Sequence, residues 1–202
     1  RNVNDFAIET NHAFGGALTA FGSVYPQSET ALEELDRLKA AGIRGIKLHP
    51  DYQHFFVDDE RFYPLYRRIG ELGFVTVFHA GIDIGYPEPV HCTPQMLARI
   101  LPQFGGAPVV AAHMGGWMMW KDVQEYLCGR DLYLDTAFSA GRMPPDYARE
   151  IIRRHGADRI LLGSDMPWGN TGDEIAFVRS LDLPDAQTAA ILGENAQMLL
   201  AQ

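Results

Sequence analysis

Short apolar runs alternate with longer amphipathic ones along this chain. Residues 19–24 (TAFGSV), 43–48 (IRGIKL), 74–78 (FVTVF), 109–112 (VVAA), 132–136 (LYLDT) and 160–163 (ILLG) are short, mainly apolar segments, and the third is β-branched and aromatic throughout, as a buried strand prefers. Helical patterns lie between them. In 29–41, Leu32, Leu35 and Leu38 are spaced for one face and Gly42 ends the run. A second pattern covers 61–72 and stops at Gly73; a third covers 93–104, with Thr93 as N-cap and Pro94 at the first helical position. Others cover 118–127, closed near Gly129, and 144–155, opened by Pro144 and Pro145 and ended by Gly156. Thr171 and Glu174 have capping-box spacing for a helix to about 181, Asp185 caps a last helix to about 200, and a helix over 2–13 precedes the first strand. This reading gives six strands and eight helices in alternation, which predicts βαβ units and a parallel sheet. No linker or low-complexity run divides the sequence, so 1–202 reads as one domain.

Composition narrows the class. The 202 residues are 47% apolar and 21% charged, ordinary globular values. Net charge is −9, which argues against a broad nucleic-acid or anionic-membrane footprint. The longest uncharged stretch, 100–120, contains Pro102, Gly105, Gly106, Pro108, Gly115 and Gly116, punctuation that a spanning helix does not carry. Cys92 and Cys128 are too few for a disulfide framework and form no CxxC pair, so a reducing, cytoplasmic setting is expected. Both are expected simply to pack.

Candidate chemistry gathers where a parallel α/β fold places it, at the carboxyl ends of the strands. The run at 43 delivers Lys47 and His49; those at 74 and 109 end in His79 and His113; those at 132 and 160 deliver Asp135 and Asp165. Taken singly, each has an ordinary explanation as a turn former or capped polar residue. Together, two imidazoles and a carboxylate ending three of the last four strands are the ligand types of a catalytic divalent metal. Such a metal acidifies bound water and polarises a substrate oxygen, while a further histidine moves protons near neutral pH. A lysine inside IKL is a second anomaly, because lysine is seldom buried without a partner. Trp117 and Trp168, close behind His113 and Asp165, are candidate walls for a planar or carboxylated substrate. The loop 81–93 could carry Glu88 and His91 over the site, although plain loop closure explains it as well. His12, His54 and His155 read as surface or helix-end residues.

The motifs GIKLHP (45–50), FHAG (78–81), AHMGG (112–116), YLDTAF (133–138), GSDMPW (163–168) and GENAQMLL (193–200) resemble the amidohydrolase superfamily. They resemble in particular the amidohydrolase-2 branch that includes aminocarboxymuconate-semialdehyde decarboxylase. The resemblance implies an α/β fold, a distorted (β/α)8 TIM-like barrel in which 74–79, 109–113, 132–136 and 160–165 are strands 5 to 8. It implies His79 and Asp165 as metal ligands, with Asp165 also handling the proton. His113 matches a residue that stands beside the metal's water or binds metal itself. Lys47 falls where some members carry a carboxylated, metal-bridging lysine; a salt-bridged lysine facing a substrate carboxylate is the alternative.

One departure stands out. The family's first strand carries a His-x-His pair, and this chain has none. The chain opens on Arg1 and its first clear strand corresponds to strand 3, so strands 1 and 2 are expected to lie outside it and the metal site to be incomplete within it. The alternative is a variant that binds metal weakly or not at all. The expectation is therefore a metal-dependent hydrolase of an amide, ester or lactone, with zinc the first choice of metal and manganese the second. Its catalytic residues are Asp165, His113 and Lys47; its metal residues are His79, Asp165 and His113; His49, Trp117 and Trp168 bind a small anionic substrate. The rivals are a non-oxidative decarboxylase of an unsaturated or aromatic acid and a non-catalytic ligand-binding barrel. A homo-oligomer is compatible with the sequence.

Overall fold

The computed structural model describes residues 2–86 and 88–201; Arg1, Gln202 and Pro87, which is part of the loop 81–93, lie outside the described residues. Five strands form one parallel sheet: β1 (Gly45–Leu48), β2 (Val75–Phe78), β3 (Val109–Ala111), β4 (Tyr133–Asp135) and β5 (Ile160–Leu161). Their order in space is their order in sequence. A doubly wound sheet reverses direction at a switch point, whereas the wall of a (β/α) barrel does not. The sheet is an arc of such a wall.

Register decides which side chains face the barrel axis. Lys47 pairs with Val77, Val77 with Val110 and Val110 with Tyr133, so these four share one face. Val75, Val110 and Leu161, with Val77 and Tyr133, form a small apolar cluster on that face, closed below by Leu199. The opposite face, with Ile46, Leu48, Phe78 and Leu134, packs on the helices in the main core. Alternation therefore makes Lys47 the last inward residue of β1, with His49 two positions on, and places His79 two positions past Val77.

The helices are α1 (Asn2–Phe14), α2 (Ala31–Ala40), α3 (Tyr63–Glu71), α4 (Pro94–Ile100), α5 (Trp120–Tyr126), α6 (Pro145–His155) and α7 (Thr171–Arg179). They are followed by α8 (Asp185–Ala189), which runs through a π-turn into α9 (Asn195–Leu200). Thr93 caps α4 through Met96 N–H at 3.2 Å, as its position predicts.

Several details depart from the sequence pattern. In α2 the buried face is Ala31, Leu35 and Leu38, spaced four and three, while Leu32 is 44% exposed. Residues 19–24 form no strand; Gly22 makes a single parallel bridge to Ile46. The outer side of that segment is instead satisfied by side chains of α1. The Asn4 amide accepts from Ser23 N–H and donates to Ser23 O (both 2.8 Å), and Asn11 does the same with Ala20 (2.6 and 3.1 Å). The capping box at Thr171 is absent: Asn170 caps α7 through Gly172 and Asp173 N–H. Glu174 turns inward to accept from Ala140 N–H, and burial pushes its pKa up to about 7. Asp185 makes no cap hydrogen bond. His155, expected near the surface, is buried and bridges Leu132 O and Gly129 N–H.

The loops after β2 and β3 are clamped together at Gly81. Ile82 N–H donates to Trp117 O, and Trp117 N–H donates to Ala80 O. Gly81 has φ +86, and a Cβ there would stand 2.2 Å from Trp117 N. Gly81→Ala combines a left-handed backbone with a backbone clash, and is expected to destabilise the chain by about 2–4 kcal/mol in urea denaturation. An unchanged midpoint would contradict the close approach.

Candidate functional site

A cavity of about 440 Å³ opens at the carboxyl ends of the strands. Lys47, His49, His79, His113, Trp117, Asp165 and Trp168 all line it. Two of these arrive on an unusual backbone. His113 and Asp165 have φ of +60° and +58°, a region that costs a non-glycine residue about 1–3 kcal/mol and is concentrated at functional sites. The turn at His113 is braced by Asp135, whose Oδ1 accepts from His113 N–H (2.9 Å) and from Ala137 N–H (3.0 Å).

A hydrogen-bond chain fixes the protons of the two buried histidines. His113 Nδ1 lies 3.0 Å from Ala137 O, which only accepts, so Nδ1 carries the proton. A His113 ring with that single proton has a bare Nε2, which accepts from His79 Nδ1 at 3.1 Å. His79 Nδ1 therefore donates, and His79 Nε2 is left as a lone pair. That nitrogen is buried, without a hydrogen-bond partner, and 3.9 Å from both Asp51 Oδ2 and Asp83 Oδ2. Burial first, then the fields of His113, His49 and Lys47, lower the His79 pKa to about 2. Burial and Lys47 lower that of His49 to about 4, against the opposing pull of Asp83 and Asp51. Both rings are neutral at pH 7. Burial also lowers the Lys47 pKa, against the attraction of Asp135 and Asp165.

His49 lies flat on His79, with centroids 4.2 Å apart, and on Tyr52 at 3.9 Å. Its Nε2 is 3.5 Å from Asp83 Oδ2, and its Nδ1 accepts a long contact from Tyr52 N–H at 3.4 Å. Donor atoms of His49, His79 and Asp83 lie within 4.8 Å of one another; among the described residues no other three His, Cys, Asp or Glu donors do so. Asp165 thus shares the cavity with His79 and His113 without closing on them. An unpaired nitrogen facing carboxylate oxygens is a donor set that fits a divalent cation.

Sequence reasoning passed over two of these carboxylates. Asp83 lies in the loop 81–93, four residues past His79; Asp51 follows KLHP on a turn. His91, weighed as a lid residue, points inward instead: its backbone N–H and Nδ1 both donate to Asp51 Oδ1 (3.2 and 2.9 Å). Trp117 meets Phe138 at 6.0 Å between centroids, while Trp168 stands 73% exposed at the rim.

The depressed histidines carry a pH signature. Below about pH 6.5 the unfolded chain takes up protons that folded His49 and His79 refuse, so stability falls as pH drops from 6.5 toward 4 and keeps falling toward 2. With chelator present, His79→Gln is expected to flatten that slope in denaturation series; parallel slopes would contradict it.

Among the described residues no helix is long and apolar enough to cross a membrane. No curated protein matches the chain. Solved structures share its fold. An uncharacterised TIM-barrel protein from Bordetella bronchiseptica superposes with a TM-score of 0.79 at 24% identity, over 98% of this chain and 72% of that one. 5-Carboxyvanillate decarboxylase from Sphingomonas paucimobilis gives 0.76 at 17%, over 98% and 71%. A probable 2-pyrone-4,6-dicarboxylic acid hydrolase from Acinetobacter baumannii gives 0.70 at 18%, over 98% and 79%. The amidohydrolase family model matches residues 1–201, and on that match the chain belongs to the amidohydrolase family, in its amidohydrolase-2 branch.

Proposed function

We propose that the cavity is the active site of a metal-dependent hydrolase acting on a small, planar, carboxylated substrate. The observation that carries this reading is the convergence of Lys47, His49, His79, His113 and Asp165 from the strand ends onto one cavity. When bound, a divalent cation (zinc first, manganese second) supplies Lewis-acid polarisation of an amide, ester or lactone oxygen and acidifies water.

His79 offers that cation its bare Nε2. His113, given by the sequence as a ligand, holds His79 in the required tautomer, since its own Nε2 is occupied by His79 N–H. It serves as a positioning residue. Asp165 takes the proton of the attacking water and returns it to the leaving group, the work of a carboxylate at the mouth of such a site. Lys47, partly desolvated between the fields of Asp135 and Asp165, meets the substrate carboxylate. His49 stands beside it, and Trp117 and Trp168 flank the ring. Two proteins that share the fold, a 5-carboxyvanillate decarboxylase and a probable 2-pyrone-4,6-dicarboxylic acid hydrolase, support a carboxylated ring.

Decarboxylation of an aromatic or unsaturated acid is the second reading, favoured by the aromatic lining from Tyr52, Trp117 and Phe138. There the protonated carboxyl of Asp165 would deliver to ring carbon the proton that replaces the departing CO2, in place of activating water. A screen of metal-loaded protein for acid release from lactones and esters, and for CO2 release from aromatic acids, separates the two. On the substrate found, Asp165→Asn is expected to lower kcat by about 10²-fold or more with little change in KM. Lys47→Met is expected chiefly to raise KM. No turnover in either screen would overturn the proposal.

A further inference from the structure

We infer that the substrate is amphipathic: a carboxylated head lies deep in the cavity, and an apolar arm leaves through a hydrophobic mouth formed by Tyr52, Ile84 and Trp168. This rests on the reading of the cavity as a site for a carboxylated ring, and adds the part of the substrate that the chemistry does not touch.

The first argument is where apolar surface is left in water. Among the described residues fourteen large hydrophobic side chains are exposed. Six of them, Tyr52, Ile84, Tyr86, Met118, Met166 and Trp168, stand on the loops that follow β1, β2, β3 and β5, around this one cavity. Exposed apolar residues scattered singly need no explanation, whereas a set gathered at the mouth of a pocket marks a binding surface. Tyr52 (53% exposed), Ile84 (68%) and Trp168 (73%) also line the cavity, so the patch is continuous with its interior.

The second argument is how polarity changes with depth. Every lysine, histidine and aspartate of the lining is buried or half-buried, and its exposed side chains are Tyr52, Ile84 and Trp168. One wall joins the two zones. Buried His79 stacks on His49 at 4.2 Å, His49 stacks on Tyr52 at 3.9 Å, and Tyr52 meets Tyr86 edge-on at 5.3 Å. The column offers ring faces and edges from the floor to the rim. A charged or strongly polar extension would give up water against this mouth without a partner, whereas an alkyl or aryl arm gains by leaving water. The cavity volume of about 440 Å³ is in the range that encloses a drug-sized ligand, which leaves room beyond a single carboxylated ring.

The test is calorimetric binding of benzoate, the 4-alkylbenzoates from methyl to pentyl, and biphenyl-4-carboxylate, with MnCl2 present. Affinity is expected to rise about two- to fourfold per added methylene, and biphenyl-4-carboxylate to bind at least about tenfold tighter than benzoate. Ile84→Ser and Trp168→Ser are expected to flatten the rise. Phe6→Ser, which removes an exposed apolar side chain on α1, is expected to keep it. Lys47→Met should weaken every member alike by about tenfold and keep the rise, because it acts on the head alone. Melting curves confirm that each variant folds, and Ile84 and Trp168 are exposed enough to be replaced without disturbing the core. No rise with length, or a rise that both mouth variants retain, overturns the inference and leaves the carboxylate site standing. If Ile84→Ser instead turns a dimer into a monomer in sedimentation and leaves the rise intact, the mouth is an interface between copies and the inference falls. If the parent chain binds no member of the series, the reading of the cavity as a carboxylate site falls with it.

Discussion

The protonation pattern of the cavity hangs on one backbone carbonyl. Ala137 O accepts from His113 Nδ1, and because a carbonyl cannot donate, every later hydrogen in the chain follows for a His113 ring that carries a single proton. His113 must receive from His79, and His79 must present a lone pair to Asp51 and Asp83. Were the same imidazole to face a hydroxyl or water, the chain could reverse, and His79 would point an N–H at the carboxylates. Ala137, in the loop after β4, thus sets the proton pattern at the end of β2.

Barrel register supplies the remaining constraint. The inner face of the sheet carries an apolar cluster at the bottom and polar side chains at the top, on the same period-two positions. Lys47 sits between the two zones, which is why burial lowers its pKa while acidic neighbours draw it back. The left-handed residues His113 and Asp165 lie where the strands give way to loops; the hydrogen bonds of Asp135 brace the first, and Trp168 N–H and Gly169 N–H donating to Asp165 O brace the second. Fold stability and site geometry are therefore coupled at the same few turns.

Much of this was legible in the sequence. Strand ends could be located from apolar runs and their glycine stops, so Lys47, His49, His79, His113 and Asp165 were found from position alone. Asp51 and Asp83 were not, because both sit on irregular loops where an aspartate ordinarily forms turns, and nothing local distinguishes a turn former from a carboxylate that faces a cavity histidine. Asp83 in fact does both, with one oxygen in the turn and the other in the site. The strand expected at 19–24 does not form for a similar reason: the partners of that segment on the outer side are the amides of Asn4 and Asn11, a pairing between side chains and backbone that periodicity does not encode. Glu174 and His155 misled for the same reason, since their roles depend on contacts distant in sequence.

The most direct test is the tautomeric state of the two histidines, read by ¹⁵N NMR of the imidazole nitrogens at pH 7 in the metal-free chain. The account predicts that His113 and His79 both carry a proton on Nδ1 and that His79 Nε2 is bare. A proton on His79 Nε2, whether from the other tautomer or from an imidazolium, would contradict it.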